Sequence, residues 1–136
     1  MLAAMKISSS AMTAQMVRMN TTASNLANMD VVGKTEEEAY KAKKPVFQTM
    51  IEKFSETDYE AGVRVSGITQ TDRPNTKRYE PSNPLANEEG YIFQSNVNSI
   101  EEMVEMTNAS RSYQTNVEVM NATKKMMMAT LQLGKG

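Results

Sequence analysis

Met5, Met12, Met19 and Leu26 recur every seven residues, and Leu2, Ser9, Met16 and Ala23 supply the interleaved positions. A side chain returns to nearly the same face of an α-helix at that spacing, so the pattern predicts one amphipathic helix over residues 2–28. Asn28 is a candidate left-handed terminator for it. The far end of the chain repeats the device. Met103, Met106, Ser110, Tyr113, Val117, Met120, Lys124, Met127 and Leu131 step by alternating threes and fours, which predicts a second long helix over about residues 97–132. Glu101, Glu102 and Glu105 near its start and Lys124 and Lys125 near its end suit the helix dipole. The two stripes are compatible in length. They can pair as an antiparallel coiled coil whose seam includes Met12, Met19, Met106, Tyr113 and Met120.

Residues 30–95 have another texture, with all four prolines and four of the six glycines. "VFQTMI" at 46–51, "GVRVSG" at 62–67 and "GYIFQ" at 90–94 alternate or cluster as strands do. The expected fold class is therefore mainly α: two long terminal helices forming an antiparallel coiled-coil hairpin, with a small β-rich or irregular middle insert. The expected organisation is one subunit over 1–136, divided into an N-terminal helix (1–29), the insert (30–95) and a C-terminal helix (96–136).

Composition narrows the function classes. Fifteen basic and sixteen acidic residues leave a net charge of −1, so neither nucleic acid nor direct membrane insertion is expected. Histidine and cysteine are both absent, which removes the commonest general base, the usual zinc ligands and any thiolate chemistry. No cofactor and no catalytic residue is expected. Three serines interrupt "MLAAMKISSSAMTAQ" where a cleavable leader needs its apolar core, and no stretch approaches the roughly 20 apolar residues of a membrane span. "NMDVVGKT" at 28–35 falls short of a phosphate loop because its first glycine is replaced by Asn28 and a helix precedes it. The mixed-sign run "TEEEAYKAKKP" at 35–45 is expected to be a solvated connection.

A paired coiled coil buries one stripe only. Ile7, Val17, Val104, Val119 and Met128 lie off that seam and would stay wet in a lone subunit, which points to further helices packing alongside. "SSSAMTAQMVRMNTTASNLANMDVVG" resembles the amino-terminal signature of the bacterial flagellar axial proteins, the rod, hook and related subunits. The matching motif is Ser24, Asn25, Leu26, Ala27 and Asn28. The carboxyl-terminal part resembles the proximal rod subunits of that family through Tyr79, Pro81, Pro84 to Ala86, Gly90, Tyr91, Glu101 to Val104 and Ser110 to Val119. Asn83 and Ser95 depart from the residues usual at their positions. The resemblance spans about residues 8–33 and 79–134. It implies a structural subunit of the periplasmic rod that polymerises through its terminal helices into the axial drive shaft. Its implied partners are copies of itself, other rod proteins and the flagellar type III export apparatus, without a cleaved leader. A self-contained helical adaptor for a soluble partner is the second reading, and an enzyme using Asp, Glu, Lys or Tyr on the insert is the third.

Two residue groups carry the expected assembly role. Asn25 and Asn28 would fix helix register, since a buried amide accepts only partners that satisfy it; alternatively Asn25 is solvated and Asn28 merely stops the helix. Met5, Met12, Met19, Met103, Met106, Met120 and Met127, with Tyr113 and Val117, are expected to fill the helical packing surfaces. A soft-metal site at "MMM" (126–128) is the weaker reading, because no histidine or cysteine accompanies it.

Overall fold

A computed structural model describes residues 1–53 and 59–134. Helix α1 spans Leu2–Ala27 and helix α2 spans Ser99–Leu133. Between them run β1 (Val32–Gly33), β2 (Lys43–Lys53), β3 (Tyr59–Gln70), β4 (Lys77–Tyr79) and β5 (Tyr91–Gln94). The start of α2 is capped by Asn98, whose side chain accepts from the backbone N–H groups of Ile100 and Glu101, with Glu101 and Glu102 in the first turn. Those placements satisfy orphan amides and suit the dipole. Lys124 and Lys125 do not complete the pattern at the other end. The helix continues to Leu133 and its last turn holds no basic residue.

The helices lie side by side and antiparallel. Arg18 of α1 forms an ion pair with Glu105 of α2, and Thr22 lines the same cleft as Glu102. Four residues along each helix from the Arg18–Glu105 pair stand Ala14 and Ala109, 2% and 0% exposed. Two alanines at one level let the helix axes approach closely. The same register puts Leu2 near the level of residue 121, and Thr123 is still 4% exposed, so about the last ten residues of α2 extend beyond α1. At 1.5 Å per residue that overhang is about 15 Å.

β2 and β3 form a long antiparallel hairpin that runs along α1, its register shifting at a bulge between Val46 and Phe47. Lys43 sits beside Asn25, while Gly62, the strand partner of Met50, sits against Ser10. Fifteen helical residues and seven extended ones cover nearly the same distance, about 22 and 24 Å, which is why the hairpin can follow the helix. Ser10 Oγ accepts from Val63 N–H at 3.2 Å and ties the two together. A second sheet, in the order β1-β5-β4, closes the end where α1 stops and α2 starts. Its central strand buries Ile92 completely.

This architecture overturns the expected class. The chain is mixed α/β, with two antiparallel sheets beside two helices, and is not plainly a coiled-coil hairpin carrying a small insert. The physical reason lies in which face α1 buries. Its buried residues are Ser8, Ala14, Thr21, Thr22 and Asn25, small or polar groups that pack between α2 and the hairpin. At about 100° per residue, the row Met5, Met12, Met19 and Leu26 lies roughly 100–180° round the helix from Ala14 and Asn25, and all four are only half-buried. The interleaved Leu2, Ser9, Met16 and Ala23 face outward. A seven-residue period fixes that a helix has a face; it does not say which face the hairpin and α2 cover.

Candidate functional site

Asn25 is 1% exposed and its amide makes three hydrogen bonds within its own chain. Nδ2 donates to Lys43 O at 2.8 Å, while Oδ1 accepts from Lys43 N–H at 2.9 Å and from the Tyr40 hydroxyl at 3.0 Å. The side chain thus acts as a one-residue strand partner that seals the outer edge of β2 where the hairpin begins. Two further asparagines serve the same junction. Asn96 Oδ1 accepts from Ala42 N–H and its Nδ2 donates to Arg73 O, both at 2.6 Å. Asn75 Nδ2 donates to Tyr40 O at 3.0 Å and Gln94 O at 2.8 Å. Together the three amides join α1, the start of β2 and one end of the second sheet, where β4 begins and β5 finishes, around residues 40–43. A buried amide matched this closely specifies geometry more than it adds stability.

Asn28 has a different task. Its Nδ2 donates to Ser24 O at 2.8 Å, closing the last turn of α1, and its backbone sits at φ −106° and ψ 11°. The left-handed terminator expected there is therefore absent: a side-chain amide satisfies the end carbonyl without a left-handed turn. Ser24 Oγ lies 3.4 Å from the Tyr40 hydroxyl, Leu26 is half-buried and Ala27 is exposed. Within the motif, Ser24, Asn25 and Asn28 face their own chain, and Ala27 is open to solvent.

The methionine rows divide in the same way. On α2, Met106, Tyr113, Val117, Met120 and Met127 are half-buried, whereas Met103 is 53% exposed and stands off the face toward α1. Met16 on α1, also expected on a packing row, is 47% exposed. A second row on α2 steps 115, 119, 122, 126, 129, 133 and is exposed throughout. Val119 is 44% exposed, Met126 55% and Leu133 83%. Of the off-seam residues, Ile7, Val104, Val119 and Met128 are exposed and Val17 is half-buried. Scattered apolar residues on a surface need no explanation, but alternating threes and fours along a helix is the spacing at which another helix packs.

Between α1, α2 and the hairpin lies a cleft of about 260 Å³ lined by Arg18, Lys43, Lys44, Phe47, Glu102 and Glu105. The Arg18 guanidinium stands 5.8 Å from the Phe47 ring centre and pairs with Glu105, so its charge is already spent inside the chain. Among the described residues no cluster of three or more acidic, histidine or cysteine side chains is placed to hold a metal, and no helix is long and apolar enough to cross a membrane.

Sequence reasoning missed Tyr40, Asn75 and Asn96. A usable signal existed, since Asn75 and Asn96 each stand two residues outside a strand, where ladder pairing stops and carbonyls need another donor.

Comparison with known proteins bears on what these surfaces serve. Residues 5–33 match the family described as flagella basal body rod protein, and residues 88–133 match the C-terminal family of the flagellar basal body rod FlgEFG proteins. The chain is 46% identical over 129 residues to the flagellar basal-body rod protein FlgC of an Escherichia coli O6:H1 strain, covering 95% of this chain and 94% of that one. It is 45% identical over 129 residues to its counterpart in Yersinia enterocolitica, with the same coverage. Against the FlgC of Bacillus subtilis strain 168 it is 40% identical over 144 residues, covering 96% of each.

Proposed function

The chain belongs to the FlgC family of flagellar basal-body rod proteins, structural subunits of the rod, and from that premise we propose that it enters the proximal rod through its terminal helices. The observation that carries this reading is the exposed row Val119, Met126 and Leu133 on α2, which has the period of a helix-packing seam and no partner within the described chain. Met103, Val104, Leu2 and Met16 add outward apolar groups on the same two helices. Copies of this chain and other rod proteins are the partners. The subunit serves as a passive mechanical element of the drive shaft and performs no chemistry. It reaches the rod through the flagellar type III export apparatus, a reading supported by its membership of the rod-protein family.

The test is a Val119→Asp, Met126→Asp variant expressed in cells lacking the wild-type chain. Both positions are exposed, so the isolated subunit should keep its fold and stability. Completed rods should fall sharply while secreted, unincorporated subunit accumulates. Normal rods at normal subunit levels would remove the α2 row from the assembly surface.

A further inference from the structure

The sulfur of this protein is held entirely in thioethers, since it has thirteen methionines and no cysteine. Their exposure is uneven in an informative way. Met126 and Met128 are each 55% exposed, yet Met127 between them is half-buried. Met1, Met103, Met16 and Met29 are likewise open, while Met12, Met106 and Met120 are half-buried. Susceptibility of a thioether to peroxide follows its access to solvent.

We propose that Met126 and Met128, with Met1, Met103, Met16 and Met29 as the other open sites, are oxidised by peroxide to methionine sulfoxide in the free subunit, and that the modification at Met126 blocks assembly until it is reversed. In the forward step the thioether sulfur attacks one peroxide oxygen, the O–O bond breaks, an S–O bond forms, and the remaining oxygen leaves as water. The sulfur is oxidised by two electrons and the peroxide is reduced. In the return step a sulfoxide reductase passes two electrons from a dithiol, which becomes a disulfide, and the oxygen leaves as water.

The consequence follows from position. A sulfoxide is a hydrated acceptor, and Met126 belongs to the exposed α2 row, where its neighbours Ala122 and Ala129 carry no side-chain donor. Burying that oxygen against an apolar neighbour leaves it unsatisfied. Once a neighbour covers the row, the Met126 sulfur becomes inaccessible, so at that position assembled subunits are protected and free ones are vulnerable. The assignment of the oxidation sites stands on exposure alone; the effect on assembly rests on the proposed role of the α2 row.

The experiment treats the folded full-length chain with hydrogen peroxide and follows each methionine by peptide mass spectrometry. Met126 and Met128 should gain one oxygen roughly fivefold faster than Met127 and Met120. Equal rates at the three consecutive residues would overturn the site assignment. Treated and untreated chains are then compared for incorporation into rods from cells lacking the wild-type chain. Oxidised protein should incorporate roughly tenfold less well, and reduction by methionine sulfoxide reductases should restore it. Equal incorporation of oxidised and untreated chain would overturn the inference while leaving the assembly reading intact. Failure of the untreated chain to incorporate, although its Met126 and Met128 oxidise first, would overturn the assembly reading and with it the block.

Discussion

At the scale of single residues, the motif Ser24 to Asn28 works differently from a register device read by neighbouring subunits. Asn25 spends both ends of its amide on Lys43, so its substitution acts first on the fold of its own chain. Asn25→Ala leaves a buried N–H and C=O of Lys43 without partners and should lower unfolding free energy by about 1–3 kcal/mol. Asn28→Ala removes one bond at a helix end and should cost about 1 kcal/mol or less. Urea denaturation of the two variants checks the ordering, and equal losses would show that the Lys43 contacts contribute little. Gly90 is a second residue-scale constraint: its φ is +81°, and a Cβ there would stand 2.9 Å from the Tyr79 ring. Gly90→Ala should therefore disturb the Tyr79–Tyr91 edge contact, whose ring centres lie 5.1 Å apart, and cost about 1–3 kcal/mol by the same assay.

At the scale of elements, the question is which face of each helix packs. The α1–α2 contact is built on alanine at one level, Ala14 against the face that carries Ala109, and this admits no larger side chain. Ala109→Leu should overpack that contact and destabilise by about 1–3 kcal/mol, whereas Met103→Ala on the open face should change stability by less than about 0.5 kcal/mol. Thermal melts of both variants decide it; a large loss at Met103 with none at Ala109 would place the seam on the wrong face. The helices themselves were legible from residue types. Periods of seven and alternating threes and fours mark them from Leu2 to Ala27 and from Ser99 to Leu133. The hairpin was legible only in part. "VFQTMI" and "GVRVSG" mark its middle, but β2 begins at Lys43 inside a run whose charges suggest a solvated connection. What holds that run in the sheet is the amide of Asn25, eighteen residues away, and no local pattern contains it.

At the scale of the whole molecule, protection should be graded along α2. Residues near Ala109 pack on α1, while the segment after about residue 123 passes beyond its start and is exposed at Met126, Met128, Leu131 and Leu133. In hydrogen exchange on the dilute chain, amides at about 105–117 should exchange slowest and those at about 124–133 fastest, because an unpacked helix of this length is marginal. Uniform protection from Ser99 to Leu133 would mean that the overhang is stable without a partner. Assembly into rods should then raise protection over the overhang most.

The residue order by itself determined that two long helices close the ends of the chain, that the middle is strand-rich, and that the Ser24 to Asn28 motif and the carboxyl-terminal helix carry a rod-protein signature. Those features are local or periodic, and local spacing is what a helix or strand reads. Only the tertiary structure decided that the fold is mixed α/β, that α1 buries Ser8, Ala14, Thr21, Thr22 and Asn25 in preference to its methionines, and that Asn25, Asn75 and Asn96 join around Tyr40. The reason is the same in each case. Which face is covered, and which carbonyl a distant amide reaches, depends on where the hairpin lies along the helix, a placement set by contacts between residues far apart in the chain.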